Sequence, residues 1–426
     1  QIWLPQLGAA IPLDSLFGDG GFVHDPERGF AAAGWPRTGR LAVPVGLVDQ
    51  PERQLQGPLV VNFADGHGHL AVCGAPQTGK STFLRSTILS LAVTHTPTEA
   101  QIYAVDYGGG TLESLAGLPH VGAVASRLEL ERVQRLFAHV ERLLATREEL
   151  FRRRGIDSAA SMRAMRDRGE LDAGSAADVF VVIDGWAAFR EAFEGLELVI
   201  ADLVARGLGY GIHLVLTATR WMEVRASVLD SIGGRLELRV NNALDSVIDR
   251  RRAGTIRADQ PGRGLHPSRH LFQAALPRLD GQETTDKLHE AVLVAVDHIA
   301  SRWDGPVAAP VRLLPIHLPV SELPPPADDA PSGVPVGLSE ADLEPWYLDL
   351  GGSEPHFLVY GDSECGKTTF LHTWMTGLTA RVPPDRAQIV LVDYRRTSLE
   401  VVPESHLRGY AAAEPATHDL IGALAA

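Results

Sequence analysis

Residues 71–82 read AVCGAPQTGKST, and this stretch decides the fold. Its GxxxxGKS core, from Gly74 to Ser81, has the spacing of a phosphate-binding loop. A short apolar run over residues 69–73 precedes the loop, and an apolar-periodic segment follows it to about Val93. Because the motif requires a strand before it and a helix after it, the stretch predicts a nucleotide-binding α/β domain.

The chain carries this pattern twice. GDSECGKTT at 361–369 has the same spacing, and Lys367 follows Lys80 by 287 positions. QIVLVDY at 388 follows QIYAVDY at 101 by the same offset, and VPVGL at 334 follows VPVGL at 43 by 291. The repeat unit is therefore a whole domain, since solenoid repeats are several times shorter.

We predict an α/β fold of tandem P-loop NTPase (RecA/FtsK-like) domains with mostly parallel sheets flanked by helices. In the first domain, further strands are predicted at 101–106, 178–184, 212–219 and 235–240. The last of these alternates in polarity, which favours a position nearer the sheet edge. A long amphipathic helix is predicted over 129–152. Its predicted apolar face comprises Leu130, Val133, Leu136, Phe137, Val140, Leu143 and Leu144, with Arg and Glu on the solvent side.

Domain boundaries follow from composition and from the repeat. Residues 1–302 form the first domain, 303–331 form a linker rich in proline, and 332–426 form the N-terminal part of a second domain. By the repeat offset, the counterpart of Asp184 would have a number near 471. We therefore expect the second domain to stop before its Walker B strand, and the parent protein to be longer.

The chemistry of each loop suits a nucleoside triphosphate with Mg²⁺. Glycines let consecutive backbone N–H groups surround the phosphates, and the following helix adds the positive end of its dipole. Lys80 supplies a charge to the outer phosphates, and Ser81 in the first loop and Thr368 in the second can ligate Mg²⁺. The predicted ATP contacts are Gly74, Ala75, Pro76, Gln77, Thr78, Gly79, Lys80, Ser81, Thr82 and Asp184 in the first domain, and Gly361, Asp362, Ser363, Glu364, Cys365, Gly366, Lys367, Thr368 and Thr369 in the second.

Asp184 ends an apolar strand 104 positions after Lys80, where a Walker B aspartate would hold the Mg²⁺ shell. The simpler alternative is an ordinary aspartate at the end of a strand. Hydrolytic sites of this class place a second acidic residue directly afterwards to orient water, but this chain has Gly185. We therefore expect the first domain to bind ATP without the usual means of cleaving it.

Three further features of the sequence are weaker indications of site residues. Asp106 and Asp393 each follow a strand in the sequence VDY, and a contact with the nucleotide, a contact with a neighbouring loop or a capping role fits them. Thr219 stands where a polar sensor of the γ-phosphate would be, or is a plain strand-end residue. Arg235 is a candidate arginine finger toward a neighbouring domain, although a surface salt bridge is the more economical interpretation.

Composition limits the possible partners and cellular compartment of the protein. The net charge of −14 makes a nucleic-acid partner a poor expectation. Cys73 and Cys365, the two cysteines, cannot form a disulfide framework, which fits a reducing cytosol. No apolar run approaches the ~20 residues that cross a bilayer, and no histidine group suggests a metal other than Mg²⁺.

These segments resemble the EccC ATPases of actinobacterial type VII (ESX) secretion systems, members of the FtsK/SpoIIIE class. The matching segments are IWLPQL at Ile2, VPVGLVDQP at Val43, GAPQTGKST at Gly74, DYGGG at Asp106, LPHVGAVAS at Leu118, VVIDGW at Val181, GLGYGIHLVLTATRW at Gly207, QPGRGL at Gln260 and GDSECGKTT at Gly361. Their order is similar to that of the second ATPase module and the start of the third.

The resemblance implies a membrane-anchored parent at the cytoplasmic face of the cell membrane. Such a protein recruits Esx/WXG100 proteins for export, works with EccB, EccD, EccE and its other modules, and assembles as a hexamer. It also implies that the sequence DGW at Asp184 is normal for the second module, and it aligns Arg235 with an arginine of the DNA-pumping relatives.

The sequence is compatible with three functions. The first is an ATP-holding latch in a protein-secretion motor, with little or no hydrolysis. The second is an FtsK-type DNA-translocating ATPase, which would need a basic DNA-reading domain. The third is an interaction scaffold whose loops bind nothing.

Overall fold

The computed structural model describes residues 4–18, 20–35, 41–64, 68–172, 174–323, 333–340, 343–352 and 355–425. The chain forms two compact units, Gln1–Val311 and Arg312–Ala426, called here the first and second unit. The division between them falls inside the predicted linker. Residues 324–331 of that linker, residue 332 at the predicted start of the second domain, and Ile2 of the IWLPQL segment lie outside the described residues.

The strands of the first unit are β1 Phe22–Asp25, β2 Gly29–Ala32, β3 Ala42–Gln50, β4 Leu55–Asn62, β5 Leu70–Cys73, β6 Ala100–Asp106, β7 Val121–Ser126, β8 Asp178–Asp184, β9 Ile212–Ala218, β10 Gly234–Leu238, β11 Arg263–Leu265 and β12 Leu271–Ala274. Ten of them form a central sheet in the order β4-β3-β12-β11-β10-β5-β9-β8-β6-β7. All neighbours from β10 to β7 pair in parallel, whereas β11, β12, β3 and β4 extend the sheet antiparallel. The predicted mostly parallel α/β fold is confirmed.

Helices cover both faces of this sheet. They are α1 Lys80–Thr94, α2 Leu130–Arg154, α3 Ala159–Asp167, α4 Trp186–Ala192, α5 Leu196–Arg206, α6 Ala226–Leu229, α7 Arg250–Ala253 and α8 Leu288–Ala300. Two large apolar clusters, one on each side of the sheet, form the core. In the described part of the chain, no helix is both long and apolar enough to cross a bilayer.

The helix after the phosphate loop, α1, is buried on all sides beyond its first turn. The buried hydroxyls of Ser86 and Ser90 donate to the carbonyls of Ala275 at 2.6 Å and Pro44 at 2.8 Å, respectively. These bonds attach α1 to the antiparallel half of the sheet. A buried hydroxyl with a partner costs little, so a helix with polar residues can lie entirely inside.

The prediction that β10 lies near the sheet edge is wrong. β10 pairs with β5 on one side and β11 on the other, well inside the sheet. Its alternation arises because Glu237 is buried and accepts the indole N–H of Trp221 at 3.0 Å. A paired carboxylate inside the protein gives the same sequence pattern as an exposed one.

The predicted apolar face of α2 is only partly correct. Val133, Phe137 and most of the other predicted residues are buried, but Leu130 is 52% exposed. Arg147, expected on the solvent side, is 1% exposed and donates to the carbonyls of Tyr210 at 2.7 Å and Ser175 at 3.0 Å. Loops that precede two strands of the sheet present carbonyls to this helix, and an arginine satisfies them.

Residues 308–311 of the predicted linker follow the edge of the sheet. Ala308 N–H donates to the carbonyl of Pro119 at 2.9 Å, and Val311 N–H to that of Gly122 at 3.2 Å. The hydroxyl of Tyr103 donates to the carbonyl of Ala309 at 2.9 Å. An irregular segment thus covers β7, the edge strand, as exposed edges require.

The second unit repeats the first half of the first. It contains β13 Val334–Leu338, β14 Pro345–Leu348, α9 Lys367–Arg381, β15 Ile389–Val392, β16 Leu407–Ala411 and α10 Glu414–Ala425. The counterpart of β5, residues 357–360, is not a strand, and Leu358 and Tyr360 are 86% and 94% exposed. In the first unit β5 pairs with β9 and β10, whose counterparts by the repeat offset would have numbers above 426.

Candidate nucleotide-binding site

The two phosphate loops have the same backbone conformation. Gly79 and Gly366, each directly before a helix, have φ of +97° and +92°. Gln77 and Glu364, two positions earlier, have φ of +60° and +62°. Left-handed conformations at the same two positions bend the chain tightly in both loops, which is the shape that aims consecutive N–H groups inward.

Neighbouring strands hold the first loop in place. Gly74 N–H donates to the carbonyl of Ala218 at 3.0 Å, Ala75 N–H to that of Arg239 at 2.8 Å, and Gly262 N–H to that of Thr78 at 2.8 Å. The second loop keeps its shape although counterparts of these strands are not part of the chain. The loop conformation is therefore specified by its own residues.

Each loop lysine folds back over its own loop. Lys80 Nζ donates to the carbonyls of Gly74 at 2.7 Å and Ala75 at 2.9 Å. Lys367 Nζ makes the equivalent bonds, to Gly361 at 2.8 Å and to Asp362. Burial lowers the pKa of Lys80, and the nearby Asp184 carboxylate opposes that shift. The ammonium group thus lies where a bound anion would meet it.

Asp184 lies beside the first loop as an almost fully buried carboxylate. Its Oδ2 accepts the hydroxyl of Ser81 at 2.5 Å, and its Oδ1 accepts the hydroxyl of Thr217 at 2.5 Å. Burial raises the pKa of Asp184, because desolvation penalises the charged form. A divalent cation beside Ser81 and Asp184 would reverse this penalty, so this pair of oxygen ligands fits Mg²⁺.

The residue after Asp184 is closed to side chains. Gly185 has a φ of +86°, and a Cβ there would lie 2.9 Å from the carbonyl carbon of Tyr107. A Cβ on Gly108 would lie 2.1 Å from Oδ2 of Asp184. Glycines at both positions therefore let the loop after β6 pack directly against the end of β8.

Asp106 accepts hydrogen bonds from the backbone of the neighbouring loop, one of the roles that its position allowed. Its Oδ1 accepts the N–H groups of Gly108, Gly109 and Gly110 at 3.0–3.1 Å, and its Oδ2 accepts that of Leu112 at 2.8 Å. Asp393 accepts the N–H groups of Arg395 and Ser398 in the same way. Both aspartates shape the loop after their strand.

A cleft of about 630 Å³ opens over the first loop, a size suited to a nucleotide. It brings together Lys80, Ser81, Asp184 and Thr219 of the predicted residues. Thr219 N–H donates to Oε2 of Glu223 at 2.8 Å. The other predicted loop residues that line the cleft are Pro76, Gln77, Gly79 and Thr82, whereas Gly74, Ala75 and Thr78 form the body of the loop.

Arg235 does not line this cleft. It is the second residue of β10, paired with Ala71, at the opposite end of the parallel strands from the loop. Its guanidinium donates to the carbonyls of Leu229 at 2.7 Å and Ile232 at 3.2 Å. The arginine-finger role stays a prediction, one that requires these bonds to be exchanged for a neighbour's phosphates.

Sequence reasoning missed three residues of the site. Thr217 was overlooked because it lies inside an apolar strand, although a hydroxyl among aliphatic residues is a usable signal. Gly108 was part of a conspicuous glycine run without an assigned role. Glu223 carried no signal, since it belongs to no motif and reaches the cleft only through the turn Trp221–Glu223.

Comparison with known proteins identifies the family. The FtsK/SpoIIIE family profile matches residues 33–279 and 322–415. The chain is 44% identical over 421 residues to the ESX secretion system protein EccC of Thermomonospora curvata, covering 99% of this chain and 32% of that protein. It is 38% identical over 415 residues to the ESX-1 secretion system protein EccCb1 of Mycolicibacterium smegmatis, covering 96% and 67%.

A solved structure agrees with these relatives. The chain matches Thermomonospora curvata EccC (ATPases 2 and 3) in complex with a signal sequence peptide with a TM-score of 0.84 and 44% identity, covering 99% of this chain and 75% of that one. The chain spans about a third of the length of the full EccC relative. It belongs to the FtsK/SpoIIIE family of nucleotide-binding P-loop proteins and, within it, to the EccC ATPases of type VII secretion systems.

Proposed function

We propose that the first unit binds Mg-ATP as a structural or regulatory latch within a type VII secretion motor, with little or no hydrolysis. The predicted ATP contacts keep their assignment, with Ser81 and Asp184 on Mg²⁺ in the first unit and Thr368 in the second. One observation carries this proposal. The buried carboxylate of Asp184 lies between Ser81 and Thr217, and the next residue is a glycine whose position excludes a side chain.

Binding energy alone can operate such a latch. A ligand at 100 times its dissociation constant stabilises the bound conformation by about 2.7 kcal/mol, which biases a docking equilibrium about a hundredfold. The hydrogen bonds that tie the loop to β9 and β10 would transmit this stabilisation to the sheet. No cleavage is needed for the bias to operate.

Thermal unfolding with and without Mg-ATP tests the proposal. For a unit of about 300 residues, 2.7 kcal/mol corresponds to a rise of about 4 °C in the melting temperature. Lys80→Ala should abolish this rise for the first unit, and Lys367→Ala should leave it. Lys287, the chain's only lysine outside the loops, is 78% exposed, so Lys287→Ala is a matched control. An unchanged melting temperature in wild type, or a rise that survives Lys80→Ala, would reject nucleotide holding.

We further propose that the parent protein recruits Esx/WXG100 proteins for export and is anchored at the cytoplasmic face of the membrane. In this proposal the parent protein works with its other modules and with the EccB, EccD and EccE proteins, and it assembles as a hexamer. The signal sequence peptide bound to the Thermomonospora curvata relative supports the recruitment step. Pull-down of the full-length protein with an Esx substrate, with and without its signal sequence, tests it: equal recovery of both forms contradicts the proposal.

A further inference from the structure

Glu223 is a carboxylate of the nucleotide cleft that no sequence motif accounts for. It lies in the turn Trp221–Glu223, which follows β9, the strand that carries Thr217, after Thr219 and Arg220. The cleft that it lines also contains Lys80, Ser81 and Asp184. Its negative charge acts on the ammonium group of Lys80, which places it within electrostatic reach of the outer phosphates of a bound nucleotide.

The position of Glu223 is fixed from three sides. Its Oε2 accepts the N–H of Thr219 at 2.8 Å. Its backbone carbonyl accepts the indole N–H of Trp186 at 3.1 Å and the guanidinium of Arg190 at 3.0 Å, both on α4. Within the described residues Oε1 makes no hydrogen bond to protein, and Glu223 lines the cleft.

Glu223 supplies the cleft with a second carboxylate, which the residue after Asp184 cannot provide. A second acid directly after Asp184 is excluded, because Gly185 has a left-handed backbone and packs against Tyr107. The turn after β9, the neighbouring strand, brings a carboxylate to the same cleft. A carboxylate within hydrogen-bond reach of water can orient it and accept its proton.

We propose that Glu223 is the water-orienting carboxylate of this site and that the slow turnover of ATP held there depends on it. This inference rests on the proposed function, since it requires ATP bound at Lys80. Water attacks the γ-phosphorus, the bond from that phosphorus to the β–γ bridging oxygen breaks, and Glu223 accepts the proton of the water. The products are ADP and inorganic phosphate.

Single-turnover hydrolysis of radiolabelled ATP by excess full chain tests the inference, together with calorimetric binding of the non-hydrolysable analogue AMP-PNP. Glu223→Gln should lower the single-turnover rate by about 100-fold or more, the usual effect of losing a general base. It should also leave analogue binding equal or tighter, because it removes a negative charge that faces the phosphates. Glu191→Gln, at an exposed position of α4, should change neither quantity.

Each outcome decides the matter. A Glu223→Gln variant that cleaves ATP at the wild-type rate overturns the inference, as does a wild-type chain that cleaves none of its bound ATP. Weaker analogue binding in Glu223→Gln would mean that the carboxylate only supports the cleft, and this also overturns it. Failure of wild type to bind the analogue rejects instead the nucleotide-holding proposal, so the two failures are distinguishable.

Discussion

The hydroxyl of Thr217, on β9, donates to Oδ1 of Asp184, on β8, at a distance of 2.5 Å. The same hydroxyl accepts the N–H of Gly185 at 2.9 Å. Thr217 is fully buried, so its hydroxyl makes both bonds without competition from water. One side chain therefore satisfies the carboxylate and the backbone of the residue that follows it.

Thr217→Val keeps the shape of this side chain and removes only the hydroxyl. We expect the free energy of unfolding to fall by about 1–3 kcal/mol, because the buried carboxylate of Asp184 and the N–H of Gly185 each lose a hydrogen bond. Thr217→Ser should recover most of this loss. Urea unfolding of the three proteins measures the difference, and a Val variant as stable as wild type would show that water replaces the hydroxyl.

Gly185→Glu should not create an efficient hydrolytic site. The variant places a Cβ 2.9 Å from the carbonyl carbon of Tyr107 in a left-handed conformation that by itself costs about 1–2 kcal/mol. We expect a lower melting temperature and no gain in steady-state ATPase rate. Gly195→Ala is the matched control, since its φ is −69° and nothing lies within 4 Å of the new Cβ. A stable, fast Gly185→Glu enzyme would contradict this account of the missing acid.

Asp106→Asn should loosen the loop that packs against Asp184. The carboxylate accepts four backbone N–H groups, and an amide has only one oxygen to accept them, so we expect a loss of about 1–3 kcal/mol. Gly108 contacts Asp184 only while the loop is ordered, so affinity for Mg-ATP should fall as well. Urea unfolding and calorimetric titration measure the two effects. Asp393→Asn serves as the comparison in the second unit.

The sequence was a sufficient guide wherever one local pattern determines one local structure. Strand β8 has the predicted bounds, and α1 begins at Lys80, because apolar runs and glycine turns act over a few residues. The errors lie where distant residues meet. Arg147 is buried because loops far along the chain offer it carbonyls, and Glu237 because Trp221 pairs with it. No periodicity in the chain carries that information.

The same distinction explains the site. The shape of the phosphate loop is encoded locally, as its recurrence in the second unit demonstrates. Thr217, Gly108 and Glu223 reach the cleft only because the ends of β5, β6, β8 and β9 converge there. The convergence is a property of parallel sheets, whose strands end at one edge. A predicted parallel sheet therefore indicates that side chains at the strand ends will meet, but it does not identify those side chains.

His69 gives the first unit a built-in sensitivity to acid. Its Nε2 lies 2.9 Å from the carbonyl of Val204 and its Nδ1 lies 2.8 Å from the N–H of Leu214, which assigns the proton to Nε2 and leaves Nδ1 as an acceptor. Burial lowers the pKa of His69 to about 4. Between pH 4 and the ordinary histidine value near 6.5, the unfolded chain therefore binds a proton that the folded chain does not.

It follows that His69 lowers stability as the pH falls through this window, by about 1.4 kcal/mol per pH unit at most. His69→Gln keeps one donor and one acceptor without a titrating group, so its stability should fall less between pH 6.5 and pH 4.5. Urea unfolding at several pH values compares the slopes, with His24→Gln as the exposed control. Parallel slopes for wild type and His69→Gln would show that His69 keeps its ordinary pKa in the folded protein, and the acid sensitivity would then have to come from other buried groups.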